Sequence, residues 1–198
     1  MKPDDLKPAP EPLRLLQRFV NTRSLMRNVD HLASSRSFAE WLDELGYGLA
    51  DAALEPEELE RLLRLRETLR TILVAHTRGT APQMESAIAE LNRILDRVPL
   101  HVSFSSAGQP QLAPRSANLK GFEERLVAGA VWAVHAGIWE RLKVCANKDC
   151  GWAFYDRSKN RSGSWCDMDM CGSRAKMRSY RQRQSSSAAQ IRGHVGDN

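Results

Sequence analysis

Apolar residues recur at helical spacing over most of the first 144 positions. Leu13, Leu16 and Val20 share one face, and Asn21, Thr22 and Arg23 close the segment. Ser37 followed by Glu40 reads as a capping box, with Phe38, Trp41, Leu42 and Leu45 as the apolar face and Gly46 and Gly48 as the stop. Pro56 suits the first turn of a long helix, where the N–H it lacks would go unbonded anyway. Its stripe is Leu59, Leu62, Leu63, Leu69, Ile72, Leu73 and His76, ended by Gly79. A further helix is expected from Pro82 to Val98, with Met84, Ile88, Leu91 and Leu95 inward. Between Leu100 and Leu119 the period falls to two: Val102 and Phe104 alternate with polar neighbours, Gly108 to Pro110 makes a turn and Leu112 follows, which predicts a hairpin. Phe122 to Leu142 is apolar nearly all round, the pattern of a buried central helix running straight to Cys145. Residues 13–144 are thus expected to be mainly α with one short β-hairpin.

From Cys145 the pattern changes. The four cysteines of the chain stand as two pairs, Cys145 with Cys150 and Cys166 with Cys171, each enclosing four residues, with fifteen between the pairs. Trp152, Phe154 and Asp156 alternate with Ala153 and Tyr155 as a strand would, and Arg157 to Ser164 makes a polar turn before Trp165. A segment so rich in Arg, Ser and Asp buries too little apolar surface to offset its ordering entropy, so a cross-link is expected. Residues 1–12 have prolines at 3, 8, 10 and 12 and no apolar signal core, and read as a disordered arm. The longest apolar stretch, Leu126 to Trp139, falls short of the roughly 20 residues a membrane helix needs.

A soluble, cytoplasmic chain is therefore expected, and in a reducing compartment paired cysteines serve metal rather than disulfides. Zinc prefers four tetrahedral sulfur or nitrogen donors, so Cys145, Cys150, Cys166 and Cys171 are expected to hold one structural zinc ion. His194, the competing donor in the module, falls in a tail from Ser185 that reads as disordered. The predicted order is knuckle, hairpin, second knuckle and helix, a treble-clef-like finger over residues 145–184. With the metal saturated, and no P-loop, dinucleotide turn, HExxH pair or nucleophile elbow in the sequence, no enzymatic activity is expected.

Charge separates the two parts. The chain carries 29 Lys and Arg against 24 Asp and Glu, and the whole excess of +5 falls after Cys145. Ser173 is the expected N-cap of a helix that places Arg174, Arg178 and Arg181 on one face and Met177, Tyr180 and Gln184 on another, with Lys176 and Arg183 beside them. No acid interrupts Arg174 to Arg183, and Arg157, Lys159 and Arg161 in the hairpin turn extend the positive surface. Such a patch suits an acidic partner, DNA first, with RNA or an acidic protein as the alternative. One small module buries little surface, so a homodimer fits tight binding better, although no dimer surface shows in the sequence.

Three pieces of the finger resemble the CGNR zinc-finger family: the Cys145 to Cys150 knuckle, the run Gly151 to Ser158, and Trp165, Cys166 and Met168 leading into Cys171, Gly172, Ser173, Arg174, Ala175 and Lys176. Upstream, Asn21 to Arg23, Leu65 to Glu67, and Leu91 with Asn92 look like landmarks of the ABATE domain that precedes such fingers. The chain departs from the family motif in Ser173, where the name has Asn, and in Gly163 and Ser164, where two basic residues are usual. The resemblance implies a transcription regulator whose N-terminal domain senses a small molecule or stress. Arg66, Asn92 and Asn21 are the candidate ligand-binding residues, Arg66 because it interrupts an apolar stripe and a buried guanidinium needs a carboxylate or an anionic ligand.

Overall fold

A computed structural model describes residues 6–47, 54–79, 83–115 and 118–193, the last nine as backbone; Gly48, Pro82 and His194 lie outside them. Helix α1 (Leu13–Val20) ends at Asn21, whose N–H returns to Gln17 O. Strands β1 (Arg23–Ser24) and β2 (Val29–Asp30) pair antiparallel around a 3-10 turn. Helix α2 (Ser35–Glu44) starts three residues earlier than its sequence suggests, because Ser34 is the cap: Ser34 Oγ accepts from Ser37 N and Ser37 Oγ accepts from Ser34 N. Glu40 instead accepts from Arg36 Nε at 3.1 Å, one turn back.

Helix α3 (Pro56–Arg78) has its predicted bounds, with Gly79 at the C-cap. Helix α4 (Met84–Leu95) is rotated from expectation: Ala87 and Ile94 are buried while Ile88 is exposed, so the seam with α3 follows a seven-residue step from the small Ala87. Strands β3 (His101–Phe104) and β4 (Pro110–Ala113) form the predicted hairpin, His101 opposite Ala113. Val102 and Phe104 are exposed, at 67% and 70%, and His101 on the other face has its Nε2 4.0 Å from Glu124 Oε1 of the next helix.

Helix α5 (Leu119–His135) is capped by Asn118, whose side chain accepts from Gly121 N, and stops seven residues before Leu142. Gly137 takes φ +66°, and Ile138 N to Ala133 O and Gly137 N to Val134 O close the last turn. Trp132 and Val134 are exposed, so α5 is buried on one side only at its end. A 3-10 turn then leads to strand β5 (Leu142–Val144), which pairs antiparallel with β6 (Ala153–Tyr155). Helix α6 (Ser173–Gly193) follows, running past Ser185, where the sequence suggested disorder.

The core is built by α1, α2, α3 and α5, with Phe19, Phe38 and Trp41 meeting Phe122 edge-on. Leu142, Val144 and Ala153 are buried in that same core. A boundary at 144/145 therefore cuts a sheet that both halves share. Over the described residues 6–12 the arm packs on the domain instead of being disordered: Ala9 is buried and Lys7 O accepts from Tyr155 N at 2.9 Å. Among the described residues no helix is long and apolar enough to cross a membrane.

Candidate metal centre and nucleic-acid surface

The four cysteines, all buried, converge so that their sulfurs lie within 4.8 Å of one another. Cys150 Sγ is 3.6 Å from Cys166 Sγ, which is 3.8 Å from Cys171 Sγ. A tetrahedron with metal–sulfur bonds of about 2.3 Å has edges of about 3.8 Å, so the donor set fits one zinc ion. Packed this closely the thiols cannot all ionise unaided. Hydrogen bonding from Cys150 and Cys166 favours the thiolate at Cys145, and the same contacts push Cys150 and Cys166 up. A divalent cation resolves that conflict, as expected of a structural zinc site.

Strand β6 is two-faced. Trp152 and Phe154 pack around the cysteines, whereas Ala153 and Tyr155 face the helical core. Of Trp152, Phe154 and Tyr155, the rings of this run able to stack on bases if exposed, Trp152 and Phe154 are buried under the finger and Tyr155 is half-buried. Below them Asp156 organises the hairpin turn: its carboxylate accepts from Lys143 Nζ at 2.8 Å, Ser158 N at 2.9 Å and Gly163 N at 2.8 Å. Burial alone would raise its pKa, but these donors hold it well below the usual carboxylate range. A Cβ at position 163 would come 2.6 Å from Asp156 Oδ1, so glycine rather than a basic residue suits this turn.

The start of the basic helix differs from the sequence expectation. Asp167, not Ser173, is the cap: its side chain accepts from Met170 N at 2.8 Å at the head of a π turn, Met168–Gly172, that continues into α6. Ser173 is helical, and its hydroxyl donates back to Met168 O at 3.4 Å. Arg174 therefore lies in the second turn of the combined segment, behind a carboxylate that favours the helix dipole.

Arg178 docks the helix. Its Nη2 donates to Asn147 Oδ1 and Asp149 Oδ2, both at 3.2 Å, and Asn147 Nδ2 lies 3.8 Å from Cys171 Sγ. Arg178 alone of its face thus meets the first knuckle, and Met177 and Tyr180 on the other face are exposed. Arg174, Lys176, Arg181 and Arg183 are exposed along the helix, as is Lys159 in the turn. Arg157 and Arg161 bond within the chain, to Pro8 O at 3.0 Å and to Glu140 at 3.4 Å and Gly137 O at 3.2 Å.

The three candidate ligand residues of the helical domain do not converge. Arg66 is 1% exposed and makes an internal ion pair, Nη1 to Asp30 Oδ1 at 2.5 Å and Nη2 to Asp30 Oδ2 at 2.9 Å, with further bonds to Thr22 and Glu67. Burial opposes ionisation of Asp30, yet the guanidinium holds its pKa below the ordinary value. Asn21 is buried against β6 and Asn92 is exposed on α4.

Arg70, Thr77 and Lys7, not singled out from sequence, and His76 of the predicted stripe join the finger to the helices. Arg70 of α3 donates to Gly151 O and, at 2.5 Å, to Val20 O. Thr77 Oγ1 donates to Val144 O at 2.6 Å and His76 Nδ1 to Leu142 O at 2.8 Å, while burial lowers the His76 pKa and keeps the ring neutral. Lys7 Nζ caps Trp165 O at 2.6 Å. Their partners are backbone carbonyls far along the chain, which leave no mark in a sequence pattern.

A four-thiol metal centre carrying a basic helix and sharing a sheet with a helical domain defines a zinc-finger protein of two interlocked parts. The ABATE family model, described as "Putative stress-induced transcription regulator", matches residues 13–138, and the CGNR zinc finger model matches residues 141–184. The chain belongs to the ABATE family and ends in a CGNR zinc finger. Among curated proteins nothing matches the sequence.

Proposed function

We propose that this chain is a transcription regulator that binds duplex DNA through α6, with the zinc centre holding that helix in place. The observation that carries the reading is the placement of Arg174, Lys176, Arg181 and Arg183 on an exposed helix anchored at one end by the cysteines. Arg174 and Arg181 share a flank, and Lys176 with Arg183 falls on the opposite one. A helix in the major groove meets phosphate walls on both sides, and cations on two flanks suit that. Arg more often contacts phosphate than base, so the reading is of affinity rather than of a particular operator.

About four phosphate contacts give a salt slope near −3.6, roughly a hundredfold weakening between 50 and 200 mM salt. Fluorescence anisotropy with a labelled duplex and with RNA of the same sequence tests this. Salt-independent binding, or none at low salt, contradicts it. Preference for the RNA would favour the alternative partner, although burial of Trp152 and Phe154 leaves only the half-buried Tyr155 of the three rings for base stacking. A homodimer would double the contacts, and sedimentation with and without DNA reads that directly.

A further inference from the structure

We infer that the cleft between α1, α5 and the β3–β4 hairpin is a binding site for a small amphipathic organic anion. The cleft has a volume of about 930 Å³, within the size range of small-molecule sites. Leu15, Tyr47, Leu112, Val131 and Trp132 line it. Val102, also lining it, is 67% exposed and Trp132 40% exposed, so the fold leaves apolar surface of this hollow in water. Covering that surface is the contribution an apolar ligand body would make.

The polar groups set the charge of the occupant. Glu11 is the one carboxylate among the described lining residues, against Arg18 and Arg125, with His135 beside them. Arg125 stacks on the Tyr47 ring, 5.2 Å from its centroid, and no described carboxylate lies within ion-pair distance of it. A single anionic group meets the Arg125 guanidinium there, and a cation meets the same charge. A hydrogen bond from a guanidinium to a carboxylate is about twice as strong as a neutral one, which favours a carboxylate over an alcohol of equal length. The site differs from the Arg66 position, whose guanidinium is already matched by Asp30.

The location gives such a ligand a route to the finger. Trp132 and His135 end α5, and the chain passes from there through one 3-10 turn into β5, directly followed by Cys145. That consequence rests on the regulator reading; the binding itself does not. Calorimetric titration of the zinc-loaded full chain, without DNA and below micelle-forming concentrations, compares decanoate, decan-1-ol and decyltrimethylammonium. Decanoate should saturate one site, the alcohol should bind roughly tenfold more weakly, and the cation should not bind. Arg125→Gln, an exposed change on α5, should bring decanoate down to the level of the alcohol and leave the alcohol unchanged. Ala128→Trp, which fills the cleft, should abolish all binding. Absence of saturable decanoate binding, equal binding of the cation, or indifference to Arg125→Gln overturns the inference. Because DNA is absent from the cell, such a failure leaves the DNA reading standing, and failure of DNA binding leaves the cleft standing.

Discussion

Asn21 grips both backbone groups of Ala153, its Oδ1 2.7 Å from the amide nitrogen and its Nδ2 2.9 Å from the carbonyl oxygen. The side chain thus stands where a neighbouring strand would stand on the outer edge of β6. Gln17 adds a second donor to the same carbonyl at 3.2 Å, and Lys7 O takes the next outward amide, that of Tyr155. On the other edge β5 is held by Thr77 and His76. The finger hairpin is therefore clamped from both sides by the arm and the first and third helices.

Asn21→Ala removes the partner of the buried Ala153 amide, whereas the carbonyl keeps Gln17. An unsatisfied buried donor costs about 1–3 kcal/mol, so the urea midpoint should fall by that equivalent while zinc content stays at one per chain. A midpoint equal to that of the parent chain would show that the contact is dispensable.

Arg66→Ala leaves Asp30 and Thr22 facing a cavity. Removing one partner of a fully buried pair costs about 3–5 kcal/mol, and with Asp30 29% exposed the loss should be smaller but appear in any buffer, without a ligand. If stability is unchanged, and only the response to an added ligand disappears, Arg66 is a sensor residue and not a structural one.

Acid should unfold the chain through its carboxylates. Asp30 and Asp156 both have folded-state pKa values below their ordinary ones, so their contribution is present above an unfolded value of about 3.9 and is lost as pH falls through the folded values. The urea midpoint should hold between pH 7 and 5 and drop below about pH 4. Asp156→Asn should lower the neutral plateau and flatten the acid limb. Parallel acid limbs in the two proteins would assign the acid sensitivity elsewhere.

Arg181 and Arg178 should fail differently on DNA. Arg181→Ala removes one phosphate contact and should reduce the salt slope by about 0.9. Arg178→Ala frees the helix from Asn147 and Asp149, so affinity should fall with the slope nearly unchanged. Equal slopes for the two variants would mean that Arg178 is itself a phosphate contact.

The metal site was legible because four cysteines in two equal loops leave few other readings, and α3 was legible because Pro56 and Gly79 punctuate a long stripe. Other features depended on distant partners. Burial of Arg66 could be read from the stripe, but Asp30 lies 36 residues away and carries no mark of its role. The exposure of Val102 and Phe104 depends on which elements the hairpin packs against, which their alternation does not state. The early end of α5 hinges on Gly137, which stands within a run whose apolar pattern continues to Leu142. Asn21 is marked as a landmark, while its grip on Ala153, 132 residues on, arises only when the chain folds.

The claim that zinc positions a DNA-binding helix is tested most directly by anisotropy of one labelled duplex at 50 mM salt. The protein is added zinc-loaded, then stripped with a chelator, then restored with one equivalent of zinc. The cysteine cluster and the docking of Arg178 predict binding that disappears on stripping and returns with the metal. A stripped chain that binds the duplex as tightly as the loaded one would contradict the account.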